Sequence, residues 1–106
     1  MKPAQDCQSM AELRAQIDLL DRKLVSLLAL RAGYIDRAAE LKPAENLPAR
    51  IDHRVAAVLD NVRASARDQG LDPDLATDLW RTLIEWSIAR EERVLGPSPG
   101  KEESRK

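Results

Sequence analysis

Phenylalanine is absent from this chain of 106 residues, and two tryptophans and one tyrosine are its only aromatics. Glycine is scarce as well, at four residues. With few strand-favouring aromatics and abundant Ala, Leu, Arg, Glu and Asp, the composition favours helix and disfavours strand, so an all-α protein is expected. The single cysteine, Cys7, excludes an internal disulfide, and the lone His53 has no HxxxH-type companion, so no metal site is expected. An excess of charge of one sign is also missing: 17 basic residues stand against 18 acidic ones, for a formal charge of −1. No global field exists to hold nucleic acid or an anionic membrane, and any anion site has to be local. The longest uncharged run, "LVSLLAL", is far too short to cross a bilayer. The opening "MKPAQDCQSMAEL" lacks the apolar core of a secretory signal, which makes the cytoplasm the expected compartment.

What is present divides into three helices. Ser9 followed by Glu12 is a capping-box signature, and Met10, Leu13, Ile17, Leu20, Leu24 and Leu27 then recur at alternating steps of three and four. The same phase continues through Arg31, Tyr34, Ala38 and Leu41 until Pro43 disfavours the α conformation at Lys42. The pattern predicts one long helix over residues 10 to 42. The connector "PAENLPAR" follows, and a second helix carrying Val55, Val58, Leu59, Val62 and Ala66 ends at Gly70. Asp72 as N-cap and Pro73 in the first turn open a third helix through Leu79, Leu83, Trp86 and Leu95 to Gly96. Residues 1–96 form one helical domain, and "PSPGKEESRK", residues 97–106, has no apolar periodicity and is expected to be a disordered tail.

Length leads to assembly. A helix of about 33 residues is roughly 50 Å long at 1.5 Å per residue, whereas a compact chain of this size has a radius of gyration of about 13 Å. Two shorter helices shield only part of that rod, so an intertwined helical homodimer is expected.

Cations interrupt the seam. Arg31 takes an a-type heptad position, where its charge is desolvated unless an anion meets it. Lys42 lies eleven residues on, about 20° beyond three full turns and roughly 16 Å along the axis, so the two share a helix face. Arg14 lies 17 residues before Arg31, about 25 Å away on another face, and reaches that site only from a second, antiparallel copy. An ion-paired or snorkelling arginine accounts for Arg31 as well, a solvated first-turn residue near Glu12 and Asp18 accounts for Arg14, and a lysine near a helix C-terminus is ordinary. On the third helix Ile84, Ser87, Ile88 and Glu91 share one stripe, placing a hydroxyl and a carboxyl among apolar side chains. Glu91 either pairs with a neighbour such as Arg90 or Arg93, or is left unsatisfied, which favours the neutral, hydrogen-donating acid.

Taken in order, "DC.....LR..ID.LD..LV.LL..R..Y", Lys42 before the connector, "DHRV..VL" and "LI.WSIA.E" resemble the all-α chorismate mutases of the AroQ class and their relatives the isochorismate pyruvate-lyases, over residues 6 to 95. The resemblance implies a homodimer with two identical pockets, each binding a small dicarboxylate. Arg14 matches the arginine supplied across the interface and Arg31 the resident one. Lys42 matches the lysine that contacts a carboxylate and the ether oxygen whose bond breaks. Glu91 matches the Gln or Glu that hydrogen-bonds the same oxygen, Arg54 a helix-two arginine near the site, and Ser87 a pocket hydroxyl. Ala38, Ile84 and Ile88 match apolar walls.

The implied reaction, chorismate to prephenate, is a Claisen rearrangement with no covalent intermediate, so no cofactor is expected. Orientation and preorganised charge suffice for it. Two positions depart from the pattern. Val55 stands where several mutases carry a glutamate, which resembles the lyase branch; Glu91 stands where lyases carry glutamine, which resembles some mutases. The implied activity is chorismate mutase, with isochorismate pyruvate-lyase, giving salicylate and pyruvate, as the nearest alternative and 4-amino-4-deoxychorismate mutase as a third. A non-catalytic helical dimer module is the alternative of a different class. A nucleic-acid module lacks both a clustered basic helix and an aromatic platform.

Overall fold

The computed structural model describes residues 1–98. Among them are three α-helices and no strand: α1, Met10–Leu41; α2, Asp52–Gln69; and α3, Pro73–Leu95. Short 3-10 turns at Ala4–Asp6 and Lys42–Glu45 precede and follow α1. No described helix is long and apolar enough to cross a membrane.

The helix ends follow from their caps. Ser9 Oγ accepts from the Glu12 backbone N–H at 3.1 Å, one half of the expected capping box. The reciprocal half is displaced by one residue, because Glu12 Oε2 accepts from the backbone N–H of Gln8 at 2.8 Å and from Lys2 Nζ at 3.1 Å. Those bonds, the Gln8 amide first and Lys2 second, hold the Glu12 carboxyl below its usual range. Pro43 tightens the chain into the 3-10 turn, which closes when Asn46 takes a left-handed conformation at φ 56° and its N–H bonds the Lys42 and Pro43 carbonyls. Gly70, at φ 75°, ends α2 and bonds the carbonyls of Ala66 and Arg67. Asp72 caps α3 by accepting from the Asp74 N–H at 2.9 Å.

The chain divides into two compact units, Met1–Tyr34 and the part from Ile35 onward. In the first unit no residue is buried, and Ile17, Leu20, Leu24, Leu27 and Tyr34 of α1 are all exposed. In the second, α2 packs on α3. Buried Ala49, Ile84 and Ile88 form its centre, with Val55, Val58, Leu59, Trp80 and Leu95 packed against them. At its far end Arg63 of α2 donates to Thr77 Oγ1 at 2.6 Å and reaches the Pro73 carbonyl and Asp74, pinning the first turn of α3.

The predicted tail begins at Pro97. Ser98 is buried and hydrogen-bonded, while residues 99–106 lie outside the described residues.

Candidate active site

Lys42 is placed by the break in α1. Since Pro43 ends the α-helix there, the chain turns back on itself, with the Leu47 N–H bonding the Lys42 carbonyl at 3.0 Å. This return brings the Ala49 carbonyl to Lys42, whose Nζ donates to it at 2.9 Å. The same ammonium lies 2.7 Å from Glu91 Oε1 of α3, and the two side chains are only 16% and 6% exposed. The contact is close but poorly aligned: among the described residues no donor meets Glu91 Oε1 with hydrogen-bonding geometry. The attraction is therefore one of charge, and the aligned bond of the ammonium belongs to Ala49. An ammonium carries three donors, so Lys42 keeps directions for another acceptor.

Around this pair α3 turns its buried face inward. Ile84, Ser87, Ile88 and Glu91 are all buried, as a stripe with steps of three and four requires. The Ser87 hydroxyl donates to the Leu83 carbonyl at 2.7 Å, which commits its proton to its own helix. Val55 packs against the cluster built on Ile84 and Ile88, so this part of α2 presents an apolar surface. Ala38 is half-buried and Arg54 is exposed in the first turn of α2. Arg14, exposed, and Arg31, half-buried, belong to the first unit. The structure thus brings Lys42 and Glu91 into contact and gathers Ile84, Ile88 and Val55 into one cluster.

Four residues beside the site carried no signal in the pattern. Ala49 acts through its carbonyl, which a sequence cannot display. Arg50 pairs with Glu85, which raises the pKa of its guanidinium. Its backbone N–H donates to Ser98 Oγ at 3.0 Å. Glu92 Oε2 in turn accepts from the Ser98 hydroxyl at 3.0 Å and from the Ser98 N–H at 3.1 Å. Only the turn-forming flanks of "GPSPG" hint at a bend there.

An all-helical chain that buries a lysine against a glutamate beside an apolar stripe has the elements of a site for a small anion. The family model for chorismate mutase type II matches residues 13–92, and the chain belongs to that family. The isochorismate pyruvate lyase of Pseudomonas aeruginosa is 35% identical over 92 residues, covering 86% of this chain and 89% of that protein. The chorismate mutase of Methanocaldococcus jannaschii is 26% identical over 94 residues, covering 89% and 95%. The T-protein of Haemophilus influenzae is 32% identical over 84 residues, which is 79% of this chain but 22% of that longer protein.

Proposed function

We propose that the chain is a chorismate mutase that works as a homodimer, rearranging chorismate to prephenate by holding a compact conformer and stabilising charge on the ether oxygen. The observation that carries this reading is the buried contact between Lys42 and Glu91, beside an apolar stripe and within a chain of the chorismate mutase type II family. A cation fixed by a backbone carbonyl, with donor directions to spare, is preorganised for an oxygen that gains charge in the transition state. Glu91, held beside Lys42, faces the same oxygen. Arg31 binds one carboxylate and Arg14 reaches the other from the second copy. The exposed apolar side chains of α1 support that dimer, because burial of each Leu or Ile against a second copy contributes about 1.5–3 kcal/mol.

A second reading, isochorismate pyruvate-lyase, is favoured by one position. Val55 offers no hydrogen bond to a ring hydroxyl, and the Pseudomonas aeruginosa relative carries the lyase name over nearly its whole length. The deciding measurement is kcat/KM for chorismate and isochorismate side by side, at about pH 5 and about pH 8, for the native protein, Arg31→Ala and Glu91→Gln. Preference for chorismate, lost in Arg31→Ala with the dimer intact, supports the mutase. Preference for isochorismate with pyruvate released makes the chain a lyase. A role for Glu91 at the reacting oxygen requires kcat/KM to change in Glu91→Gln. Turnover of neither substrate, with Arg31→Ala neutral or stabilising, leaves a non-catalytic helical module.

A further inference from the structure

Lys42 owes its aligned hydrogen bond to the Ala49 carbonyl, so the placement of its ammonium depends on what holds residues 49 and 50. Packing does so only on one side. Ala49 is buried against Ile84 and Ile88, but on the other side a hollow of about 500 Å³ separates the connector from the end of α3, with Leu47, Pro48, Val94 and Leu95 in its walls. Across that end runs a chain of polar contacts. The Arg50 N–H donates to Ser98 Oγ, and both the hydroxyl and the N–H of Ser98 donate to Glu92 Oε2, one residue beyond Glu91. Ser98 is 3% exposed, so its hydroxyl is a buried group with both donor and acceptor used.

We infer that Ser98 is a positioning residue for the reaction: with Glu92 it fixes the Ala49–Arg50 peptide whose carbonyl aims the Lys42 ammonium. This rests on the reading of Lys42 as the group facing the reacting oxygen. In Ser98→Ala the Arg50 N–H loses its acceptor and the Glu92 carboxylate loses one of its donors. The peptide is then free to shift toward the hollow, carrying the Ala49 carbonyl away from Lys42. A shift of about 1 Å in a catalytic cation is enough to slow a reaction by up to about a hundredfold.

The experiment compares native protein, Ser98→Ala, Glu92→Ala and Glu92→Gln, which keeps an acceptor oxygen, by steady-state kinetics with chorismate and isochorismate and by hydrogen exchange at the Arg50 amide. Ser98→Ala is expected to exchange that amide faster and to lose about tenfold or more in kcat, with a smaller change in KM. Glu92→Ala follows it, and Glu92→Gln retains most of the native rate. In a Lys42→Ala background Ser98→Ala should cost nothing further, a non-additivity that general destabilisation does not produce. Native kcat in Ser98→Ala, an unchanged Arg50 exchange rate, or additive losses with Lys42→Ala overturns the positioning role while leaving the functional reading intact. An inert native protein sinks that reading and the positioning role together.

Discussion

Met1–Tyr34 and the unit from Ile35 onward are equally helical but bury different things. The first has no buried residue and leaves Ile17, Leu20, Leu24, Leu27 and Tyr34 exposed. The second has its own small core, and beside it a lysine and a glutamate that are themselves largely withdrawn from water. Apolar side chains left in water are the ordinary mark of a surface that binds protein, whereas a withdrawn ion pair is expensive and is kept where its charge has a use. One chain can therefore assemble the Lys42–Glu91 end of the site within a single unit. Arg14 and Arg31, the arginines proposed to bind the substrate's carboxylates, belong to the first unit, where the apolar side chains of α1 are exposed.

The sharpest way to break the comparison is to remove the lysine. Lys42→Ala takes away the cation proposed to face the reacting oxygen, and loss of one such donor costs about 10²–10³ in kcat. It also strands Glu91 in a buried place, at a cost of about 3–5 kcal/mol in unfolding free energy. The two effects separate in the double variant. Lys42→Ala with Glu91→Gln should recover most of the stability in a denaturant titration and none of the rate; recovery of neither shows that the pair is not an electrostatic unit.

The next largest effect tests the first region. Leu24→Glu places a charge on the exposed apolar face of α1 and, in a two-fold interface, does so twice. At about 1.5 kcal/mol per copy the dissociation constant of the dimer should rise by at least about a hundredfold. Sedimentation at micromolar concentration reads it directly. A variant that stays dimeric to the native extent places the interface elsewhere, and a native chain that sediments as a monomer removes the role proposed for Arg14.

Caps made most of the fold legible. Ser9, Gly70, Asp72 and Pro73 are local signals, and α1 and α3 begin and α2 ends where those residues put them. The seam was legible because heptad phase is local too. Partners distant in sequence were not. Helix periodicity left Glu91 either a neighbour such as Arg90 or Arg93 or no partner, and only the resemblance set it at the same oxygen as Lys42; on a helix those arginines lie about 100° and 200° around from Glu91 and do not share its face. Its partner is Lys42, 49 positions away, at the 3-10 turn that Pro43 sets at the end of α1. Arg90, pointing elsewhere, binds Asp36 of α1 through two nitrogens and lies with its guanidinium 5.3 Å from the Trp86 ring centroid. Ala49 and Ser98 were silent for a different reason: one contributes a carbonyl and the other a hydroxyl in a segment without periodicity.

That Arg90–Asp36 pair gives the smallest effect and a control on the larger ones. It is the solvated counterpart of Lys42–Glu91 within the second unit, since both its side chains are exposed. The Arg90 guanidinium bonded to Asp36 holds that carboxyl below the usual carboxylate range. A carboxyl lowered in the folded state contributes stability above its ordinary pKa and loses it as pH falls through the lowered value. Asp36→Asn should therefore lower Tm slightly at pH 7, and native and variant curves should converge as the solution is acidified below the ordinary aspartate range. Exposed pairs are worth little, and salt weakens them further. A large loss at pH 7 that persists in high salt means that Asp36 is held by packing, and its likeness to a solvated pair fails; catalysis, in either case, is expected to stay near native because the Arg90 guanidinium is engaged by Asp36 and Trp86, while Lys42 pairs with Glu91 and Ala49.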